Sequence, residues 1–550
     1  MQQVTTKRFY EVHSWVGAVT AILIFVIAFT GAVSVFGRPE LKIWANEAIH
    51  QPQAHEPAAI EALVKERAAD VPADYLDEIT VLFPAVRSAP NLTVYFQHER
   101  EMADGKTENH VIRFDHHPQT LALIERSEGE IREVFTTGQK DMADFIITFH
   151  ADLHLGNPWG LLLTGLLGLT LFASIVTGVI THRKVLREAF TFRPFRSLRL
   201  LFTDSHKALG VWGLLFHGTI AFTGAFLGLA VVVLFPAAAF VAVGGDIDAL
   251  ADKFLPLGAP EKSGFAAPIT FAEALAEVEE TSSGPVVSLN LLASTDENGV
   301  ALVNTLAGDG IVGYTYRYQT TGTVLEQAYT TFSRVGGAGG PILDAMFPLH
   351  FGNFAGTAVK FLWLFLGLST AFLAVSGMMI WIERRVYGST GSLAEKTYRR
   401  ISRMTVGGCA GVVVGFVALF HAQLLLPVPG KAFGFWLGVV FFGVWAASLL
   451  WAMLRSNEYR STKELLFVAA ILSVLVAPMN AVVTGNHLAN ALTHGHLVTA
   501  GVDLTMLLAG IAVFAIALRL PSERPVRKGK YGRPAEPQIA QPVLSADAQT

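Results

Sequence analysis

Eight apolar runs constrain this chain more than any other feature. They cover residues 13–36, 158–182, 206–236, 356–382, 404–426, 434–454, 464–484 and 497–518. Each is long enough to cross roughly 30 Å of hydrocarbon as a helix. Backbone amides find no water at that depth, so helices are the form such runs take. The chain is 52% hydrophobic and only 16% charged, where a soluble domain carries about 25% charged residues. A soluble enzyme and a disordered chain are both excluded. The first run lacks a small-x-small cleavage site and reads as a retained span, not a signal peptide. The single cysteine, Cys409, excludes a disulfide framework, a zinc finger and a thiolate iron–sulfur cluster.

The segments between runs alternate in charge. Lys7 and Arg8, seven basic residues in 183–207, six in 383–403, three in 455–463 and six from Arg519 onward account for 24 of the 41 Lys and Arg. The short loops on the other side hold almost none. The positive-inside rule then predicts that both termini are cytoplasmic. Two outward segments, 37–157 and 237–355, are too long to be connectors. Each reads as a small α+β domain. PAAIEALVKERAA has helical spacing, and ITVLFPAV, LTVYFQHE, HVIRFD and LALIERS read as strands. FAEALAEVEE followed by PVVSLNLLAS, GVALVNTLA, GYTYRYQ and VLEQAYT repeats that order. The tail, 519–550, is basic and Pro-rich and reads as disordered on the cytoplasmic side. GGAGG at 336–340 follows no nucleotide-fold strand and carries no phosphate role.

The chain repeats itself. HSWVG begins at His13 and FTGA at Phe29; HKALG begins at His206 and FTGA at Phe222. LHLGNPWG, with His154, matches LHFGNFAG, with His350. Thr177-Gly178 and Ser376-Gly377 follow in the next spans. The expected fold is therefore a polytopic α-helical membrane protein with about eight spans. It contains two tandem copies of helix, outer α+β domain and helix. The parts are span 1 (1–36), outer domain 1 (37–157), spans 2 and 3 with a basic loop (158–236), outer domain 2 (237–355), span 4 (356–382), and a four-helix unit (404–518). Copies of equal topology are related by an axis along the membrane normal.

Ionisable groups in spans are costly and point to function. His13 and His206 are repeat equivalents at the basic ends of their helices, and His154 and His350 at the outer ends. A two-fold axis would set each pair face to face, as in bis-histidine haem ligation on facing helices. Gly17 and Gly210, one turn beyond His13 and His206, leave room for a flat macrocycle. Taken alone, any one boundary histidine reads as an interfacial residue. His150 rivals His154, since i and i+4 share a helical face. His182, about 42 Å along a straight helix from His154, competes with His13 or His206. His217 reads equally as a mid-membrane ligand or as a polar packing residue. His421 and the His487, His494, His496 group are weaker metal candidates. His110, Asp115, His116 and His117 read as exposed strand-end residues, with a substrate metal as the rival. Trp15 and Trp212 are minor candidates for lining a haem. No residue is assigned a catalytic role.

At HSWVGAVTAILIFVIAFTGAVSVF, FHADLHLGNPWG, DSHKALGVWGLLF and PLHFGNFAG the chain resembles the PepSY-associated transmembrane family, over about residues 5–390. The resemblance implies PepSY-like outer domains and, as in siderophore-iron reductases of the family, two b-type haems in the four-helix core. It places the histidines of helices 1, 3 and 4 on His13, His206 and His350. On helix 2 it points to His150, where the repeat points to His154, and both stand. Some relatives carry a flavin domain, which this chain lacks; the helices of 404–518 lie beyond the minimal unit. The expected activity is that of a dihaem b reductase. Electrons pass from quinol or a separate cytoplasmic reductase to a periplasmic ferric chelate such as an Fe(III)-siderophore. Membrane lipid is the other expected partner, and nucleic acid is not one. A transporter of a small solute or iron chelate is the rival reading, and a membrane-anchored periplasmic binding or assembly module is another.

Overall fold

The computed structural model describes residues 3–46, 55–84, 91–101, 107–136, 141–182, 190, 193, 198–246, 249–250, 260–308, 310–320, 322, 324–387, 393–428, 430 and 432–523. The tail read as disordered lies outside the described residues from 524 onward. The first copy contains α1 (Gln3–Ser34), α2 (Lys42–Ala45), α3 (Pro57–Ala68), strands β1 (Glu78–Leu82), β2 (Leu92–Glu101), β3 (Thr107–His116) and β4 (Leu123–Glu130), then α4 (Ile131–Thr136), α5 (Met142–Asp152) and α6 (Trp159–Thr181). The second contains α7 (Leu198–Trp212), α8 (Leu214–Leu229), α9 (Phe235–Val243), α10 (Ala272–Thr281), β5 (Val286–Leu292), β6 (Val300–Thr305), β7 (Thr315–Gln319), β8 (Val324–Tyr329), α11 (Gly339–Phe351) and α12 (Gly356–Tyr387). The last unit is α13 (Glu395–Leu425), α14 (Ala432–Leu454), α15 (Glu458–Thr484), α16 (Leu488–Thr493) and α17 (Leu497–Arg519). Eight helical segments among the described residues are long and apolar enough to span a membrane.

Two features depart from the sequence reading. The third run is not one straight helix: α7 gives way to α8 at Gly213. A Cβ there would lie 2.3 Å from Nε2 of His217, so only glycine lets that ring tuck under the bend. The two outer domains are also not separate. Their eight strands form one antiparallel sheet in the order β4-β3-β2-β1-β5-β6-β7-β8. The join is the β1–β5 ladder, with Thr80 opposite Asn290 and the Asn290 amide donating to the Thr80 hydroxyl at 3.1 Å. Each half would otherwise expose a strand edge, and pairing them removes both liabilities. Alternate residues Ile79, Val81, Leu289 and Leu291 are fully buried. Ile60 and Val64 of α3 and Leu275 and Val278 of α10 join them in one core. The first copy also caps a helix of the second: the Glu61 carboxylate accepts the Phe271 and Ala272 N–H groups, both at 2.7 Å, at the start of α10. A carboxylate at a helix N-terminus is favourable for charge and for hydrogen bonding.

The four-helix unit packs onto the first copy. Val26, Phe29, Trp44, Phe145 and Phe149 share a core with Phe416, Phe420, Leu437 and Phe441. Asp503, buried within α17, accepts from Trp44 Nε1 at 2.8 Å and Asn480 Nδ2 at 3.0 Å. A lone acid at that depth would be costly, and the two donors offset its desolvation.

Candidate functional site

The histidines that matter sit at the two ends of the four spans of the repeats. At the basic end, His13 of α1 and His206 of α7 meet with ring centroids 6.5 Å apart and planes 77° apart. At the outer end, His150 of α5 and His350 of α11 do the same at 6.1 Å, their planes 23° apart. Along α1, His13 and Ile27, which contacts His150, differ by 14 residues, or about 21 Å at 1.5 Å per residue.

Each ring is held by the same device. His13 Nδ1 lies 2.8 Å from the Ser174 carbonyl oxygen, and His150 Nδ1 lies 3.0 Å from that of Ile27. A carbonyl only accepts, so Nδ1 carries the proton in both. His206 Nδ1 lies 2.9 Å from the Ser376 hydroxyl and His350 Nδ1 lies 3.0 Å from that of Thr223. Both hydroxyls donate into their own helices, to Leu373 and Thr219, and so accept from the imidazoles. In all four rings the Nε2 lone pair is left, and no hydrogen bond reaches it among the described residues. Binding the distal N–H to a carbonyl or hydroxyl is the usual way a protein orients a metal-binding imidazole.

The rings rest on glycine. A Cβ on Gly31 would lie 2.6 Å from His150 Cε1; on Gly224, 3.0 Å from His350; on Gly178 and Gly377, 3.2 Å from His13 and His206. The four small-residue-plus-glycine pairs are thus the seats of the four histidines, each pair holding a ring from another helix of its own copy. The sequence exposed these pairs as repeat landmarks. Their role went unread because each lies far in the chain from the ring it holds. Gly17 and Gly210 do something else. Nothing lies within 4 Å of a Cβ at Gly17, and only Leu373, at 3.9 Å, near one at Gly210, so space is open one turn from His13 and from His206.

Two imidazoles on opposite sides of one ion, with metal–nitrogen bonds of about 2.0 Å and about 1.1 Å from nitrogen to ring centre, place their centroids about 6 Å apart. The observed 6.5 and 6.1 Å match that spacing. Among the described residues no group of three or more His, Cys, Asp or Glu could hold a metal ion. The arrangement therefore suits a cofactor that brings its own equatorial ligands, such as a haem.

Three of the expected candidates stand elsewhere. His154 is exposed and does not face His350. The α5 helix ends at Leu153 in the left-handed region (φ 55°), and His154 shares that conformation, so its ring swings back to 4.3 Å from Phe145. In the second copy α11 continues to Phe351, which keeps His350 helical. His150, one turn before His154, therefore takes the facing position, and the register implied by LHLGNPWG and LHFGNFAG is corrected by one turn. His217 is 2% exposed, with Nδ1 2.8 Å from the Thr370 hydroxyl and Nε2 3.2 Å from the Leu209 carbonyl. Both nitrogens are engaged, and it is a packing residue at the α7–α8 bend. His182 caps the end of α6, one turn beyond Gly178.

The weaker candidates separate similarly. His487 caps α16 by accepting the Asn490 N–H. His421 Nε2 lies 3.0 Å from the Leu472 carbonyl. His110 bonds Tyr75, Asp115 binds Thr93 and Arg113, and His116 is buried against the Leu121 carbonyl; these groups do not converge on one point. The elements around His150 were not foreseen. Asp141 caps α5 by accepting from Ala143 and Asp144, and pairs with Lys42 at 2.9 Å. Gln423 of α13 accepts the Met142 N–H at 3.0 Å and donates to the Ala45 carbonyl at 3.2 Å.

The PepSY-associated TM region profile matches residues 10–384, which covers all four seats and all four rings. The chain belongs to this family. An uncharacterized protein of Pseudomonas aeruginosa is 29% identical over 387 residues, spanning 67% of this chain and 92% of the relative. The family match ends just before α13. The four-helix unit that braces α5 is therefore outside it.

Proposed function

We propose that this family member is an inner-membrane dihaem b reductase. It carries electrons from the basic side of the membrane to an acceptor at the outer sheet. The observation that carries the reading is the four-fold device: imidazoles fixed through Nδ1, seated on glycine, and paired at about the spacing of two axial ligands. His13 and His206 would hold one haem, and His150 and His350 the other. A bound haem supplies one-electron chemistry; the chain supplies ligand identity, burial and position. The glycine seats fix where each ring stands, and the Nδ1 acceptors fix its tautomer. Nothing carried in the spans between the pairs is acidic at their centres, which disfavours a proton-coupled transporter. The basic segments at the ends of α1, α7 and α12 support cytoplasmic termini.

The acceptor we propose is a ferric chelate at the outer face. Oxygen-donor chelators bind the harder Fe(III) more tightly than Fe(II), so reduction promotes release. The donor is quinol or a separate reductase. The test uses proteoliposomes with reductant inside and a ferric chelate with an Fe(II)-specific dye outside. Dye colour in wild type, lost in both His13→Ala and His350→Ala, is the expected result. Equal rates in wild type and both variants contradict it.

A further inference from the structure

At the basic end of the bundle, outside the histidine pairs, Arg385 closes α12. Its guanidinium carbon lies 3.9 Å from the Trp381 ring centroid and 4.8 Å from that of Trp15 on α1. The two indoles meet edge to face at 5.6 Å. The helix runs toward the basic end, and side chains tilt back toward the helix N-terminus, so the guanidinium is drawn back over Trp381. Among the described residues it has no hydrogen bond and no carboxylate partner. The titratable groups bearing on it are the Tyr398 and Tyr10 phenols. Next to it, Arg384 is already bonded to the Tyr10 hydroxyl, and Glu395 is already paired with Arg399. A second observation is independent. Trp381 is 9% exposed, and its Nε1–H is buried without an acceptor.

The three separations set the indoles about a right angle apart around the guanidinium, so both stand on one side of it and the donors on the other side are left for a bidentate anion. A buried indole N–H beside it is one more donor in need of an acceptor. Trp15 is 52% exposed, as suits an indole at the membrane–water interface. We propose that Arg385, Trp381 and Trp15 form a headgroup site for an anionic phospholipid, with the phosphate on the Arg385 fork. Basic pockets between helices on the positive side of a membrane protein recognise such headgroups. The site does not depend on haem.

The test is native mass spectrometry of the full chain titrated with phosphatidylglycerol or phosphatidylcholine. Wild type should retain the anionic lipid about tenfold better, as a bidentate charge-assisted contact implies. Arg385→Gln should erase that preference. Trp381→Phe, which keeps the ring but removes the N–H, should weaken it severalfold, and Arg384→Gln should leave it intact. Should Arg385→Gln fail to fold, Arg385→Lys keeps the charge without the fork and should lose most of the preference. An undiminished preference in the Arg385 variant overturns the proposal. So does displacement of the lipid by inorganic phosphate at comparable concentration, which would mark a free-anion site.

Discussion

The seats are tightest at Gly31, where an added methyl would fall within 2.6 Å of the His150 ring. Gly31→Ala should therefore displace His150 and cost about 1–3 kcal/mol of stability, as overpacking does. In a haem-loaded protein it should alter one haem and spare the other, seen as loss of one component of the reduced α-band. Gly17 offers the converse. An added Cβ there meets no neighbouring atom within 4 Å, so Gly17→Ala should leave the apoprotein's melting temperature within a degree or two. If the open space beside His13 holds a macrocycle, the same variant should lower haem content by about half. Unchanged haem content would show that the space serves another purpose. His116, far from both pairs, reports on the outer sheet. Burial pushes its pKa below the usual value. The unfolded chain therefore takes up the proton first, near pH 6.5. Its contribution to stability is full above that pH and declines below it, by up to about 1.4 kcal/mol per pH unit. The protection factors of β3, which divide out the intrinsic pH dependence of amide exchange, should fall between pH 7 and 5.5, and His116→Leu should flatten that dependence.

Single elements were read well wherever periodicity or a repeated motif was the signal. Strands β5 to β8 fall inside the segments their alternation picked out, β1 to β4 overlap theirs and run past them by one to three residues, and the spans follow the apolar runs. The helix-2 histidine shows where that approach stops. LHLGNPWG and LHFGNFAG align residue for residue, yet α5 ends before its motif histidine and α11 after its own. Where a helix ends depends on its packing, and the two helices are held differently: Trp363 Nε1 donates to the Leu349 carbonyl in the last turn of α11 at 3.0 Å, whereas α5 is held mainly at its start. Gln423 and Asp141 between them accept the Met142, Ala143 and Asp144 N–H groups, and Phe149 lies 4.9 Å from Phe441. By contrast Phe347 and Phe351 of α11 are 42% and 48% exposed. Gln423→Leu leaves the Met142 N–H and the Ala45 carbonyl without these partners, at a cost of about 1–3 kcal/mol. If His150 and His350 hold a haem as proposed, we expect the variant to shift the midpoint potential of that haem alone, with Gln423→Glu restoring the acceptor and part of the shift. A variant that melts earlier with both potentials unchanged would reduce Gln423 to a purely structural role.

On the scale of the whole molecule, two copies of one unit enclose two histidine pairs, share one sheet and lean on a third unit from one side. The tandem repeat was legible because its motifs recur without gaps at 13–30 and 206–223. The joined sheet was not, because β1 and β5 are about two hundred residues apart and nothing in a strand's own sequence names its neighbour. The role of 404–518 was illegible for the same reason. Its contacts with α1, α2 and α5 run between distant residues that carry no shared motif. These three units make sense together if the pairs must be held rigidly at two depths, and that is the claim most open to direct test. The measurement is a visible spectrum of the purified chain, oxidised and then reduced with dithionite, with haem counted as the pyridine haemochrome. A sharp b-type α-band with about two haems per chain, falling to about one in His150→Ala and in His13→Ala, is the predicted result. A chain expressed with ample haem that shows no Soret band, or keeps its full haem content in both variants, would contradict the account.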